Sequence, residues 1–122
     1  MLCGLDHFNI STADMSETLS FFEDMFDMRA EAAPGQDPAK NSWLFDQAGN
    51  ALVHVNLRKP SEGQGPIHHA AFACQGYEAM RERLSAAGHK LTELDNRKVS
   101  GVRQIFLHSP EGALIELNFR GE

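Results

Sequence analysis

The amino-acid sequence predicts an α+β fold: two tandem βαβββ modules, about residues 1–60 and about 67–120, within a single domain of 122 residues. Two observations carry this expectation. The stretch Ala51-Leu52-Val53-His54-Val55-Asn56-Leu57 returns as Ala113-Leu114-Ile115-Glu116-Leu117-Asn118-Phe119, an offset of 62 residues. Ala, Leu and Asn are identical in the two copies, and the one non-conservative pair is His54 against Glu116. His7 and His69 stand at the same offset, as do Phe22 and Leu84. Self-similarity at a fixed period is the mark of a duplicated supersecondary unit.

The elements follow from side-chain pattern. Residues 5–11 read as a strand, with Phe8 and Ile10 on one face and Leu5, His7 and Asn9 on the other. Asp14 caps a helix, with Glu17 three residues on as in a capping box, and the helix runs to about residue 28. Its Met15, Leu19, Phe22 and Phe26 fall on one face, widened by Phe21 and Met25, and are expected to pack on the sheet. Residues 29–33 give a weak strand and 34–38 a loop with two prolines. Strands are expected over 41–46, with Trp43 and Phe45 on one face, and over 51–57, separated by a turn at 48–50. Residues 59–66 are linker-like, and after them the order begins again. The second half reads as a strand over 67–74, a helix over 77–87 stopped by Gly88, and a strand over 90–94. A polar loop over 95–100, a strand over 102–107, a turn at 109–112 and a strand over 113–119 complete it.

Composition narrows the class of partner. A net charge of −6 argues against nucleic acid or an anionic membrane surface, both of which call for a basic patch. No run approaches the ~18 apolar residues of a membrane span, and 1–4 lead straight into a strand-like run rather than a signal peptide. Cys3 and Cys74 lack CxxC spacing and are expected to be free thiols in a reducing, cytoplasmic setting.

The duplication also organises four side chains of metal-ligand type. His7 and His69 are equivalent, and so are His54 and Glu116, with an interval of 47 residues in each half. Face parity puts His7 with Asn9, His54 with Asn56, and Glu116 with Asn118, each opposite the apolar residues of its strand. His69 shares its face with the small Ala71 and Ala73, which leave room beside a metal. Three imidazoles and a carboxylate suit a divalent transition metal (Fe, Zn, Ni, Co or Mn). Without His54, the remaining two-histidine, one-carboxylate set is the grouping of non-haem Fe(II) oxygenases. His68 adjoins His69 but faces the other way, so His69 is the expected ligand.

The runs Leu5-Asp6-His7-Phe8-Asn9-Ile10, His69-Ala70-Ala71-Phe72 and Ser109-Pro110-Glu111-Gly112-Ala113-Leu114-Ile115-Glu116 resemble the vicinal oxygen chelate superfamily. That superfamily takes in glyoxalase I, extradiol dioxygenases, methylmalonyl-CoA epimerase, thiol transferases for fosfomycin and bleomycin-binding proteins. The resemblance covers nearly the whole chain and implies an open, cupped mixed β-sheet with helices on its outer face. It matches His7, His69 and Glu116 to the usual metal ligands and His54 to the variable fourth position. Ser109 replaces the aspartate usual in the turn.

The activity so implied is that of a metal-dependent enzyme whose small-molecule substrate chelates the metal through vicinal oxygens. It is either a lyase or isomerase, or an extradiol-like dioxygenase. His54 stands where glyoxalase I has a second glutamate, and the chain's one tyrosine is Tyr77, so neither reaction is singled out. Gln104 and His108 share a face of their strand with Phe106. They are candidates to orient a substrate and to act as acid or base near neutral pH. His89 and Tyr77 are expected at the surface or in packing. The resemblance further implies a homodimer, with the ligands drawn from one chain or shared across two. The alternative is a metal-free small-molecule binding protein of the bleomycin-resistance kind.

Overall fold

A computed structural model describes every residue except Ser61, Ser109 and Glu111. Eight strands and three helices occur in the order β1 (Leu2–Thr12), α1 (Met15–Phe26), β2 (Arg29–Ala32), β3 (Asn41–Phe45), β4 (Ala51–Leu57), β5 (Ile67–Cys74), α2 (Tyr77–Ala86), β6 (Thr92–Asn96), α3 (Arg97–Ser100), β7 (Val102–His108) and β8 (Leu114–Arg120). This is the mixed α+β order expected, apart from α3. None of these helices is long and apolar enough to cross a membrane. The chain divides into two compact units, one of residues 7–68 and one of 1–6 with 69–122, and β1 passes from one to the other.

The first module lies in the unit of residues 7–68. Its strands are ordered β2-β3-β4-β1, antiparallel except for the parallel pair β1 and β4. Helix α1 starts where expected, with the Asp14 carboxylate accepting the Glu17 N–H at 3.0 Å. A cap of this kind contributes about 1 kcal/mol. The helix ends at Phe26 rather than near 28, because Asp27 turns left-handed (φ 53°). It packs Met15, Leu19 and Phe22 against Phe8, Ile10, Leu44, Val53 and Val55. Phe21, Met25 and Phe26 were expected in that stripe but are more than half exposed. The phenylalanine rings meet one another instead, with Phe21 edge-on to Phe22 at 5.3 Å and to Phe26 at 5.5 Å.

The second module repeats this plan as β5-β8-β7-β6, again with one parallel pair, β5 and β8. Helix α2 covers Phe119, Leu117 and Ile105 with Tyr77, Met80 and Leu84. Tyr77 is therefore a core residue, ring edge-on to Phe119 at 5.1 Å with its hydroxyl donating to Glu93 at 2.5 Å. Burial, then the Glu93 carboxylate, pushes its phenol pKa up.

Registers make the duplication concrete. In the first module Phe8 pairs with Val53 and Asn9 with His54. In the second Ala70 pairs with Ile115 and Ala71 with Glu116. Each residue of these pairs lies 62 beyond its counterpart, so the repeat extends to the hydrogen-bond ladder.

Several boundaries differ from expectation, most of them by a residue or two. β1 begins at Leu2 rather than at 5. β6 runs Thr92–Asn96 rather than 90–94, and the expected polar loop at 95–100 holds the one-turn helix α3. That turn is built by polar side chains: Asp95 accepts the Arg97 backbone N–H at 3.2 Å, and the Ser100 hydroxyl donates to the Asn96 carbonyl at 3.2 Å. The Arg97 guanidinium on the exposed Asp95 holds its carboxyl well below the usual range. Cys3 and Cys74 are both free, the first exposed and the second buried. The expected turn at 109–112 lies partly outside the described residues.

Candidate metal centre

In the second module the polar face centres on His69 and Glu116. Strand β5 presents His69 because Phe72 and Cys74, of opposite parity, face the α2 core. Strand β8 presents Glu116 because Ile115, Leu117 and Phe119 take the core side. His69 Nε2 lies 2.8 Å from Glu116 Oε2, with side chains 9% and 5% exposed. Ala71, in register with Glu116, is fully buried and adds no bulk.

The second oxygen of Glu116 is held separately. Gln104 Nε2 donates to Glu116 Oε1 at 2.7 Å and to Asn118 Oδ1 at 3.1 Å. Asn96 Nδ2 fixes Gln104 by donating to its Oε1 at 2.8 Å. Asn118 Nδ2 reaches Asp6 Oδ2 at 3.2 Å, and Asp6 is clamped by Arg120, with Nη1 to Oδ1 at 2.7 Å. The carboxylate is thus oriented by a chain of amides, as ligating carboxylates are in metal sites. Phe106 pairs with Glu116 across β7 and β8 and stands edge-on to His69 at 6.1 Å. His108, of the same strand parity, is exposed at the end of β7 opposite Leu114.

In the first module the polar face holds His7, His54 and Trp43. His7 and Asn9 are buried on β1, while Phe8 and Ile10 turn to the α1 core. Trp43 lies on the polar face, because Ser42 and Leu44 take the buried positions of β3. Its ring stacks on His54 at 4.2 Å with planes 2° apart, and stands edge-on to His7 at 4.7 Å. His54 Nε2–H donates to Asn41 Oδ1 at 2.6 Å.

The two faces correspond. Trp43 pairs with His54 as Phe106 pairs with Glu116, and Asn41 pairs with Asn56 as Gln104 pairs with Asn118. A side-chain amide therefore stands beside the fourth position in both halves. It accepts a hydrogen bond from the imidazole in one and donates one to the carboxylate in the other. An amide can serve either partner because it carries both a donor and an acceptor. Asn41 and Trp43 were not singled out as partners of His54 from sequence, since cross-strand register is not readable from one strand alone.

His68 is half-buried at the start of β5, and His89 is exposed after α2.

The imidazole–carboxylate pair fits a metal. With the proton lost from His69 Nε2, that atom and Glu116 Oε2 are lone-pair donors of the type divalent transition metals take.

Comparison with known proteins gives consistent findings. The model of the Glyoxalase/Bleomycin resistance protein/Dioxygenase superfamily matches residues 4–117. Among solved structures, methylmalonyl-CoA epimerase from Mycobacterium tuberculosis is similar at 22% identity and TM-score 0.71, over 99% of this chain and 90% of the other. The Mn(II)-bound glyoxalase from Novosphingobium aromaticivorans is similar at 20% identity and TM-score 0.73, over 97% of this chain and 39% of the other. A catechol 2,3-dioxygenase is similar at 14% identity and TM-score 0.78, over 98% and 40%. No curated protein matches the sequence.

Proposed function

Since this chain belongs to the Glyoxalase/Bleomycin resistance protein/Dioxygenase superfamily, we propose that it is a divalent-metal-dependent lyase or isomerase. Its substrate is a small molecule that presents two vicinal oxygens to the metal. His7, His69 and Glu116, which the superfamily resemblance matches to metal ligands, are the proposed ligands. The observation that carries this reading is the buried His69–Glu116 pair, held on its far side by Gln104.

A bound divalent metal would supply Lewis-acid stabilisation of oxyanion charge beside an acidic carbon. The chain's own residues supply the rest. Gln104 is a positioning residue that keeps Glu116 in one rotamer. Trp43 forms an apolar wall and fixes the plane of His54. His54 is assigned to the substrate rather than to the metal, a departure from the four-ligand expectation. Its Nε2–H donates to Asn41. His108, at the exposed end of β7, is proposed to exchange protons at the rim.

A proton-transfer reaction is favoured over extradiol cleavage by one observation. The single tyrosine, Tyr77, is buried against Phe119 with its hydroxyl on Glu93, on the helix side of its sheet. It offers no phenol to the polar face. A homodimeric, cytoplasmic enzyme is part of the same proposal.

The test is a screen of 2-substituted acyl thioesters, thiol–aldehyde adducts and catechols, with and without chelator. Solvent-deuterium exchange or isomerisation at carbon is expected for one of the first two classes, lost with chelator and restored by a divalent transition metal. His54→Ala should retain its metal while turnover falls about 100-fold, the scale of a lost proton-handling group. Loss of metal from that variant would return His54 to the ligand set. Ligand binding indifferent to chelator, with no turnover, would favour the bleomycin-resistance type of binding protein.

A further inference from the structure

Arg58 follows β4 with the parity of His54 and Asn56, so it extends the polar face of the first module. Its side chain folds back over β1. Nε donates to Ser11 Oγ at 2.8 Å and Nη2 donates to Asn9 Oδ1. Asn9 in turn donates to the His54 carbonyl at 3.1 Å and to Asn56 Oδ1 at 2.8 Å. The guanidinium is therefore tied, through one buried asparagine, to the strand position of His54.

Its electrostatic situation is unusual for this chain. Among the described residues its hydrogen-bond partners are neutral oxygens and no carboxylate pairs with it; of the other arginines Arg29, Arg81, Arg97, Arg103 and Arg120 each have one, while Arg83, which has none, is exposed. The contrast with Arg120 is the informative one. Arg120 is the repeat counterpart of Arg58, and its partner is Asp6. The residue 62 beyond Asp6 is His68, so the arginine occurs in both modules and the carboxylate in only one. Arg58 is also half-buried, and burial lowers its pKa. A partly desolvated cation without a counterion is costly. That cost is offset when an anion arrives.

We propose that Arg58 forms an anion subsite beside His54 that takes a carboxylate group of the substrate. The Nε and Nη2 groups facing Asn9 and Ser11 occupy one edge of the guanidinium. The other edge keeps two parallel N–H groups, which match the two oxygens of a carboxylate. Asn9 and Ser11 hold the fork in place, so little ordering remains to be done on binding. This deepens the function proposed above and rests on it only in placing the substrate against this face. Substrates carrying a carboxylate near the chelating oxygens would then be preferred over neutral ones.

The test is titration of the full-length protein in excess chelator with malonate, with its neutral diamide malonamide, and with inorganic phosphate. Malonate is expected to bind in the millimolar range, with malonamide at least tenfold weaker. Arg58→Gln should weaken malonate at least tenfold, and Arg58→Lys, which keeps the charge but loses the fork, by a smaller factor. The excess chelator keeps this result apart from the metal assignment. Equal binding of malonate and malonamide, or unchanged malonate binding in a folded Arg58→Lys or Arg58→Gln protein, would overturn the proposal. Phosphate binding tighter than malonate would overturn the assignment to a carboxylate.

Discussion

Glu116→Ala is expected to lower affinity for a divalent transition metal by more than 100-fold. Glu116 is the one carboxylate in the proposed set, and it is oriented at both oxygens, by Gln104 on Oε1 and by His69 on Oε2. Its removal takes away a ligand, whereas Gln104→Ala removes only the group that holds that ligand still. The second variant should therefore lose about 10–100-fold, the usual scale for an outer partner of a metal ligand. Competition with a chromophoric chelator measures both. If Gln104→Ala proved as damaging as Glu116→Ala, Gln104 would itself belong among the ligands. If Glu116→Ala kept its affinity, the assignment of the site would fail.

Phe119→Ala is expected to destabilise the protein by about 3–5 kcal/mol, the range for deleting a buried phenyl ring. Phe119 is fully buried, packs with Ile105 and Leu117, and meets the Tyr77 ring edge-on. It lies on the core face of the strand whose other face carries Glu116 and Asn118. Loss of its packing should therefore also loosen the Gln104–Glu116 contact and weaken metal binding. Phe21→Ala is the control. Phe21 is more than half exposed, and exposed substitutions of this kind fall within about 0.5 kcal/mol. Urea denaturation of the metal-free protein separates the two. Similar losses for both would mean that the exposed rings of α1 pack more firmly than their exposure indicates.

Most of the fold was legible because the duplication is written in residues that alternate cleanly. Phe8 and Ile10, Val53 and Val55, and Ile115, Leu117 and Phe119 mark the core side of their strands, and they pack there. The same parity placed His7, His69 and Glu116 on the polar faces. The remaining features carry no such signal. Thr92–Asn96 is mostly polar and exposed, an edge strand defined by its pairing with β7 rather than by burial. Helix α3 is a single turn made by side chains on backbone. Phe21, Met25 and Phe26 satisfy helical periodicity, yet that periodicity does not say how wide a stripe the sheet can cover. The partners of His54 depend on the register between β3 and β4, which one strand's sequence does not encode. The equivalence of Arg58 and Arg120 was present in the sequence, but its meaning came only with the pairing of Arg120 and Asp6.

The most direct test of the central claim is the metal content of the protein purified without added metal, measured by elemental analysis beside His69→Ala. His69 Nε2 lies against Glu116 Oε2 in the pair on which the proposal rests. About one equivalent of a divalent transition metal per chain is predicted for the unaltered protein, and close to none for the variant. A variant that holds as much metal as the unaltered protein, or an unaltered protein that binds none even when reloaded, would contradict the account.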